Sequence, residues 1–502
     1  MTLGELRSRL DRTRPDRAAG GAGGSAGDSQ RVAGIAYDSR RVGPGDVFVA
    51  LRGQRFDGGT FARAAVERGA VAVVAETGPP DGDSAVPWLI VDDARQALAA
   101  MSAALFDDPS HELLVVGITG TNGKTTTSYL VQAAFERAGV PCGRVGTVGY
   151  QFASIERPAA RTTPEAADLQ ALLRDMVDAG CRASVLEVSS HALSLRRVDE
   201  VRFGAAVFTN LSRDHLDFHG DMESYFAVKR RLFEMLPDDG FGIVNLDDPV
   251  GEELVRVAPR PVTFAVDRAA DVTPAAVTAS LAGVAFDVHT PRGLLHARSP
   301  LLGQFTVYNI LAAVATCMAL DLPFSAVEQG IGAVDRVPGR CEVVSGRSDE
   351  ITVVIDYAHT DDALRRLLET LRPLTRGRLI TVFGCGGDRD RTKRPLMGAV
   401  ASRLSDRVIV TSDNPRSEDP AAIVDEITRG IPAAAPAGAF LAVVGRDEAI
   451  ARAVAEAEPG DLVVIAGKGH EKYQEIGGRM LRFDDAEMAR NALVRRRANS
   501  HV

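Results

Sequence analysis

The sequence is poor in cysteine and has no long apolar segment. Its five cysteines are scattered over 502 residues without a Cys-x-x-Cys pair. This spacing indicates neither a zinc site nor a disulfide framework, and it fits a reducing cytosol. No apolar run approaches the roughly 18 residues of a membrane span, and no charged start followed by an apolar core marks a signal peptide. We therefore expect a cytoplasmic protein that does not enter the membrane.

The chain also lacks an excess of positive charge. Its formal net charge is −9 at pH 7, which argues against nucleic acid as a partner, because proteins that bind nucleic acid usually present a basic surface. Anionic substrates must then be met by local positive groups. A chain of 502 residues predicts about three domains of roughly 150 residues each.

The order of predicted strands and helices divides the chain into zones 1–108, 109–338 and 339–502. The first zone has a helical start, a Gly/Ala/Ser-rich stretch (18–29) that is expected to be a mobile loop, and short strands at 32–37, 46–51, 71–75 and 88–91. Strands alternate with helices in the other two zones, which predicts an α/β fold with mainly parallel sheets covered on both faces. A hairpin at 284–288 and 294–297 is predicted to extend the middle sheet. The third zone resembles a Rossmann-type domain without a phosphate loop.

The most informative segment spans 115–127, where an apolar strand leads into the turn Gly-Thr-Asn-Gly-Lys-Thr-Thr and then into a helical pattern over 128–137. Glycines let backbone N–H groups face a polyphosphate, Lys124 can reach the terminal phosphates, and the hydroxyl of Thr125 or Thr126 can hold Mg²⁺. The segment therefore predicts ATP binding. It departs from the general pattern, because Ile118 stands where a glycine is usual.

Carboxylates and histidines follow two predicted strands of the middle zone. Glu187 and His191 come at the end of strand 183–188, and Asp214, His215 and His219 come just after strand 205–209. Hard oxygen ligands with help from imidazole are what a Mg²⁺–ATP site requires. The alternative is that these side chains only cap the turn.

The turn at 120–126 resembles the ATP loop of the Mur ligase family, the ATP-dependent amide-forming enzymes of peptidoglycan synthesis, which have folylpolyglutamate synthetases as relatives. The resemblance implies a three-domain architecture with a central P-loop NTPase-like parallel sheet and a C-terminal Rossmann-like domain. It also implies the use of ATP and two Mg²⁺ ions, with Glu187 and His215 as metal ligands beside Thr125 of the loop. We expect a monomer, although the sequence does not determine the oligomeric state. The nucleotide would be bound by Gly120, Thr121, Asn122, Gly123, Lys124, Thr125, Thr126, Asn309, Arg340 and Asp356.

Lys229 follows His219 by ten residues. Without the resemblance it would be an ordinary charge on a helix face. In the family, the lysine at this spacing is carbamylated by CO₂, and the new carboxylate bridges to a second Mg²⁺. A lysine must be neutral to react with CO₂, so we expect burial that lowers its pKa.

The residues expected to hold the first substrate are hydroxyls near a helix start and one guanidinium. Such groups suit a pyrophosphate and a peptide carboxylate. In the family's tripeptide synthetases the corresponding residues contact UDP-N-acetylmuramoyl-L-alanyl-D-glutamate; here they are Ser39, Thr162, Thr163, Ser189 and Arg197. Leu195 replaces a glutamine that is common in the family.

Three loops in the third zone follow three predicted strands, at 384–390, 411–416 and 467–471, and should converge in space. An amino acid with two ammonium and carboxylate centres needs arginines for its carboxylates and Asp, Asn or Glu for its ammonium groups. The sequence Asp-Asn-Pro-Arg resembles that of the family's diaminopimelate-adding ligases, in which the arginine grips the distal carboxylate. The residues concerned are Arg389, Asp413, Asn414, Pro415, Arg416, Gly467 and Glu471.

Two other functions stay open. A lysine-adding ligase of the same pathway would share every motif except the diaminopimelate loop. A regulatory protein could bind ATP without catalysis, although Lys124, Glu187, His215 and Lys229 are all present.

Overall fold

The computed structural model describes residues 1–12, 27–53, 57–79, 84–346, 348–433, 436 and 438–500. Most of the predicted glycine-rich loop, 18–26, lies outside these ranges. The described chain is an α/β protein whose major sheets follow one another along the sequence, as predicted. None of the helices within the described ranges is long and apolar enough to cross a membrane.

The N-terminal unit is a parallel sheet of four strands in sequence order. The strands are β1 (Gly34–Ala36), β2 (Asp46–Val49), β3 (Ala72–Ala75) and β4 (Trp88–Ile90), and the helices are α1 (Leu3–Arg12), α2 (Ala62–Glu67) and α3 (Ala94–Leu105), with 3₁₀ turns at Ser39–Arg41 and Gly58–Phe61. Successive apolar side chains along each strand point to opposite faces of the sheet and enter two different apolar clusters. Both faces of the sheet are therefore covered. The four predicted strands are confirmed.

The central unit contains an eight-stranded sheet. Its strands are β5 (Leu114–Thr119), β6 (Cys142–Val145), β7 (Tyr150–Phe152), β8 (Ile155–Arg157), β9 (Ala183–Glu187), β10 (Phe203–Phe208), β11 (Phe241–Asn245) and β12 (Arg260–Phe264). They lie in the order β12-β11-β10-β5-β9-β6-β7-β8. Pairing is parallel from β12 to β6, and β7 and β8 add an antiparallel edge. The mainly parallel sheet is thus confirmed.

Helices cover both faces of this sheet and bury two apolar clusters against it. They are α4 (Lys124–Arg137), α5 (Ala166–Asp178), α6 (Ser190–Ser194), α7 (Leu216–His219), α8 (Met222–Glu234), α9 (Gly251–Val257), α10 (Gln304–Ala319) and α11 (Phe324–Ala333), with a 3₁₀ turn at Pro109–His111. Helix α4 begins at Lys124, four residues before the predicted start at 128. The prediction began too late because the three β-branched threonines at 125–127 weaken the helical signal.

The prediction that a hairpin extends the middle sheet is wrong. Strands β13 (Thr273–Ser280), β14 (Gly283–Thr290) and β15 (Gly293–Ser299) form a separate antiparallel sheet. Its apolar face, with Phe286 and Leu295, packs into the cluster that also contains Ile310 of α10 and Ile331 of α11. The first strand is largely exposed, so it lacks the alternation that would have revealed a third strand.

The C-terminal unit is a six-stranded sheet in the order β16-β17-β21-β18-β19-β20, parallel except at β16. Its strands are β16 (Glu342–Val343), β17 (Thr352–Asp356), β18 (Leu379–Phe383), β19 (Arg407–Val410), β20 (Phe440–Ala442) and β21 (Leu462–Ala466), and a hairpin follows, β22 (Tyr473–Ile476) and β23 (Arg479–Arg482). The helices are α12 (Asp361–Leu371), α13 (Lys393–Leu404), α14 (Pro420–Thr428), α15 (Arg446–Glu456) and α16 (Asp485–Ser500), with a 3₁₀ turn at Arg372–Leu374. Sequence analysis missed β16, β20, the hairpin, α13 and α16.

The topology places the chemical motifs together. Strands β9, β5 and β10 are neighbours and run parallel, so the loops at their carboxyl ends lie at one edge of the sheet. These loops carry the phosphate-binding motif, Glu187 and the histidine cluster. The unit boundaries at 108 and 338 stay predictions.

Candidate functional site

The loop between β5 and α4 requires glycine at two positions. Gly120 and Gly123 have φ of +144° and +87°. A Cβ atom would lie 2.0 Å from Thr209 Oγ1 if added to Gly120, and 2.4 Å from Asn309 Oδ1 if added to Gly123. The Lys124 Nζ donates to the carbonyl oxygens of Gly120 and Thr121, at 2.8 and 2.9 Å. Burial lowers the pKa of Lys124, whose ammonium group lies over the loop.

Glu187 stands beside the start of α4. Its buried carboxylate accepts hydrogen bonds from the Thr125 hydroxyl (2.9 Å), the Thr147 hydroxyl (2.8 Å) and the Thr147 N–H (3.0 Å). A hydroxyl and a carboxylate, both hard oxygen donors, therefore meet at the positive end of a helix. Thr147 was missed by sequence analysis, because no motif surrounds it.

His215 lies at the same edge. Its Nε2 is 3.5 Å from Asp214 Oδ2, and its ring centroid is 5.0 Å from that of His191. Burial lowers the pKa of His215, which favours the neutral imidazole that can bind a metal. Among the described residues, no group of three or more His, Cys, Asp or Glu side chains is arranged to hold a metal. A metal here would need the Thr125 hydroxyl or a modified lysine as further ligands.

Lys229 is buried, with 1% of its surface exposed. Its Nζ donates to the Gly120 carbonyl oxygen at 3.0 Å, the same oxygen that accepts from Lys124. Burial, followed by the positive charge of Lys124, holds the pKa of Lys229 well below its usual range. The predicted burial and lowered pKa are confirmed. Carbamylation of Lys229 stays a prediction.

A cavity of about 510 Å³ joins Lys124, Glu187 and His215 to the C-terminal unit, and neither Gly120 nor Lys229 lies on its wall. The predicted residues on its wall are Thr121, Asn122, Gly123, Lys124, Thr125, Thr126, Thr162, Glu187, Ser189, His215, Asn309, Arg340 and Asp356. Its wall also includes Phe264, Phe305, Tyr308 and Arg366, which sequence analysis missed.

Arg340 connects the two units. Its Nη2 donates to Thr125 Oγ1 at 3.3 Å, and its guanidinium carbon lies 4.7 Å from the ring centroid of Tyr357. The Asp356 carboxylate accepts hydrogen bonds from the Ala358 N–H in its own turn and from the Cys341 N–H next to Arg340, both at 2.7 Å. Burial raises the pKa of Asp356.

The start of α12 is fixed by a side-chain cap. The cap is Thr360, whose hydroxyl accepts from the Ala363 N–H at 3.2 Å, and Asp361 is the first residue of the helix. Threonine and aspartate are both good caps, and the extended backbone at Thr360 decides between them.

The hydroxyl groups predicted for the first substrate lie against β9. Thr163 Oγ1 donates to the Glu187 carbonyl oxygen at 2.7 Å and accepts from the Ser189 N–H at 3.1 Å. Thr162 Oγ1 is 3.1 Å from Thr147 Oγ1. Ser39 is half-buried at the start of an otherwise exposed 3₁₀ turn of the N-terminal unit, and within the described ranges its side chain makes no hydrogen bond to this group.

Arg197 belongs to the same group and is not an ordinary surface residue, since its side chain is 10% exposed. Its Nη2 is 2.9 Å from Glu165 Oε1, and its Nη1 donates to the Thr163 carbonyl oxygen at 3.2 Å. Within the part of the chain that the structure describes, its buried Nε has no hydrogen-bond partner.

The three C-terminal loops converge, as predicted. Asn414 joins them. Its side-chain Nδ2 donates to Glu471 Oε2 at 2.8 Å, and its backbone carbonyl oxygen accepts from the Gly387 N–H at 2.9 Å. The loops also pack tightly, because a Cβ on Gly387 would lie 1.9 Å from the Pro415 carbonyl oxygen, and one on Gly467 would lie 2.6 Å from Asp413 Oδ2.

Arg416 is held in place by this packing. Its Nη1 donates to the Gly387 carbonyl oxygen at 2.6 Å, and its Nε is 3.4 Å from Glu475 Oε2. Arg389 is exposed on the neighbouring loop. Two residues were missed by sequence analysis. Glu475 lies in an unpredicted strand, and Lys468, which donates to Asn414 Oδ1 at 2.9 Å, could have been found from its place between Gly467 and Glu471.

Three family models match the chain in order. The Mur ligase family catalytic domain matches residues 31–105, the Mur ligase middle domain matches 118–317, and the Mur ligase glutamate ligase domain matches 339–469. A solved structure of a MurF ligase from Thermotoga maritima in complex with ADP shares the fold at a TM-score of 0.65 and 19% identity.

Curated relatives match almost the whole chain. Proteins from Gloeobacter violaceus and Geobacter metallireducens, both named UDP-N-acetylmuramoyl-L-alanyl-D-glutamate–2,6-diaminopimelate ligase, are 47% and 49% identical to it; each match covers 93% of this chain, and 95% and 94% of the relatives. A solved structure of a ligase of the same name is 35% identical, with a TM-score of 0.69 over 100% of both chains. The chain therefore belongs to the Mur ligase family.

Proposed function

We propose that the protein is an ATP-dependent ligase of peptidoglycan synthesis that adds meso-2,6-diaminopimelate to the D-glutamate side-chain carboxylate of UDP-N-acetylmuramoyl-L-alanyl-D-glutamate. The observation that carries the proposal is the joining of Asp-Asn-Pro-Arg to Glu471 in a unit whose Arg340 reaches Thr125 of the phosphate loop. One chain therefore brings amino-acid recognition to the nucleotide site.

The reaction proceeds in two steps. The D-glutamate carboxylate forms a bond to the γ-phosphorus of ATP while the bond to the ADP oxygen breaks, which gives an acyl phosphate. The diaminopimelate amine then attacks the acyl carbon, loses a proton, and phosphate leaves. Lys124 and the backbone N–H groups at the start of α4 hold the charge that gathers on the phosphate oxygens.

The residues at the loop fit a Mg²⁺ ion. Thr125 and Glu187 offer oxygen donors that lie 2.9 Å apart, and His215 offers an imidazole whose pKa is lowered by burial. Bound Mg²⁺ neutralises phosphate charge. We assign these three residues to one ion and carbamylated Lys229 to a second. Carbamylation forms a bond from the Lys229 nitrogen to the carbon of CO₂ with release of a proton, which the lowered pKa of Lys229 favours.

We assign the UDP-dipeptide to Ser39, Thr162, Thr163, Ser189 and Arg197, whose buried Nε is a free donor within the described residues.

We also place the unit boundaries at 108 and 338. We propose a monomer, because one chain supplies the nucleotide, metal and amino-acid residues. The five cysteines are buried and unpaired, which supports the cytoplasm as its compartment.

Replacing Arg416 tests the choice of amino acid. We expect Arg416→Ala to raise the Michaelis constant for diaminopimelate by roughly ten- to a hundred-and-fifty-fold, since a hydrogen bond to a charged group contributes about 1.5–3 kcal/mol. The constants for ATP and the UDP-dipeptide should change much less. Steady-state ADP release measures all three.

Lysine has no distal carboxylate, so Arg416→Ala should leave it as poor a substrate as before or improve it slightly. Arg482→Ala is a matched control, because Arg482 is an exposed arginine on the neighbouring hairpin. If Arg416→Ala raised the constants for ATP, the UDP-dipeptide and diaminopimelate equally, Arg416 would support the unit instead of recognising the amino acid. The choice between diaminopimelate and lysine would then reopen.

A further inference from the structure

A buried ion pair lies behind the amino-acid loops. Arg446 Nε donates to Asp485 Oδ1 and Arg446 Nη2 donates to Asp485 Oδ2, both at 2.7 Å. Both side chains are 0% exposed. Arg446 is the first residue of α15 and Asp485 is the first residue of α16, so the pair ties together the starts of two helices.

The guanidinium also reaches the backbone of two loops. Its Nη1 donates to the Ser412 carbonyl oxygen at 3.2 Å and its Nη2 to the Ala466 carbonyl oxygen at 3.0 Å. Ser412 precedes Asp413 of Asp-Asn-Pro-Arg, and Ala466 precedes Gly467 of the loop that carries Glu471. These loops follow β19 and β21, which are separated by β18. The sheet therefore links the two loops only through β18. Arg446 connects their backbones directly, in addition to the Asn414–Glu471 hydrogen bond between their side chains.

The location of Arg446 is unfavourable for stability on its own. A cation at the first position of a helix opposes the helix dipole, and a charge removed from water is costly unless it is paired and fully hydrogen-bonded. Arg446 meets that requirement with two bonds to Asp485 and two to loop carbonyls. Only a planar guanidinium can satisfy four acceptors in this arrangement.

Two further hydrogen bonds hold the same region. Gln474 Nε2 donates to Ser412 Oγ at 2.8 Å and to the Asp413 carbonyl oxygen at 2.7 Å. Arg446 and Gln474 thereby hold the backbone carbonyl groups of Ser412 and Asp413. The side chains of Asp413 and Arg416 are left to set the shape of the amino-acid site.

We propose that Arg446, oriented by Asp485, is a positioning residue for amino-acid recognition, and that it fixes the Asp-Asn-Pro-Arg loop relative to the loop of Glu471. This inference rests on the proposed function. It deepens that function by adding a specificity-determining residue that does not touch the substrate.

The test is Arg446→Lys, assayed by steady-state kinetics with each substrate varied. Lysine keeps the charge beside Asp485 but cannot bond both carboxylate oxygens and both carbonyls. We expect the Michaelis constant for diaminopimelate to rise about tenfold or more, with a smaller change in kcat and unchanged constants for ATP and the UDP-dipeptide. An unchanged constant for diaminopimelate, or equal rises for all three substrates, would overturn the inference.

The double variant Arg446→Met with Asp485→Leu covers the case in which the single variant does not fold. It removes both buried charges together, which a protein usually tolerates better than leaving one unpaired. It should keep a Tm near that of the wild type and raise the constant for diaminopimelate at least as much as Arg446→Lys does. A folded double variant with an unchanged constant would overturn the inference.

Arg378→Lys is the matched control. Arg378 donates to Asp461 Oδ2 through Nε and Nη2, at 3.0 and 2.8 Å, and to the Glu456 carbonyl oxygen at 2.9 Å. It lies just before the amino end of β18, whereas Arg446 contacts the loops at the carboxyl ends of the strands. It should lower Tm without changing the constant for diaminopimelate. If the wild type used lysine in place of diaminopimelate, the proposed function would fail, but the inference could still be tested with lysine as the substrate. A higher Michaelis constant for lysine in Arg446→Lys would support the inference. An unchanged Michaelis constant for lysine would overturn it.

Discussion

Lys124→Ala should abolish ADP formation while the protein stays folded. The backbone of the phosphate loop still forms, because its conformation depends on Gly120 and Gly123, but the positive charge that we propose for the terminal phosphates is gone. A tenfold loss of rate corresponds to a barrier change of about 1.4 kcal/mol. The loss that we expect for Lys124→Ala is well beyond tenfold. ADP release with all substrates present measures the effect, and thermal unfolding measures the fold.

Arg137→Ala is the control for this variant. Arg137 is exposed at the other end of α4, so its removal changes the charge of the same helix without touching the loop. Its activity should match that of the wild type. Activity of Lys124→Ala within tenfold of the wild type would contradict the assignment of the loop to ATP.

Lys229→Ala should nearly eliminate turnover. The variant loses the nitrogen that would carry the carbamate, and with it the ligand that we propose for a second Mg²⁺. Formate or acetate should partly restore activity by supplying a carboxylate where the carbamate would be, and the rate is measured against the concentration of added acid. Rescue is the distinctive result, because a structural lysine would not be replaced by an anion.

Arg230→Ala provides the comparison on the same helix. Arg230 pairs with Glu234 and Glu253 at the surface, and surface pairs of this kind contribute little. It should be as active as the wild type and indifferent to added acid. Full activity of Lys229→Ala without acid would show that Lys229 has only a packing role.

The motifs that sequence analysis found are those in which neighbouring residues cooperate. The phosphate loop is local, since Gly120, Gly123 and Lys124 lie within five residues. The ends of parallel strands also follow from sequence, because parallel pairing places Glu187 and His215 at one edge of the sheet. The burial of Lys229 was expected only through the resemblance to the family, as one lysine on a helix carries no signal of its own.

The residues that were missed act across long stretches of chain. Thr147 binds Glu187 from a loop without a motif, and Arg446 binds Asp485 across 39 residues. Sequence analysis found the hairpin of β14 and β15 but missed β13 for a related reason. Most of β13 faces solvent, so it lacks the alternation that reveals a half-buried strand. Such contacts depend on packing between elements, which residue spacing does not encode.

The most direct test of the proposed function is ADP release by the purified protein with the UDP-dipeptide and a panel of diamino acids. We predict ADP release that requires both the UDP-dipeptide and diaminopimelate, with one tripeptide product formed for each ADP and little reaction with lysine. ATP binding without ADP release under any combination would contradict the account and indicate a regulatory protein. Release that required lysine instead would identify the lysine-adding ligase.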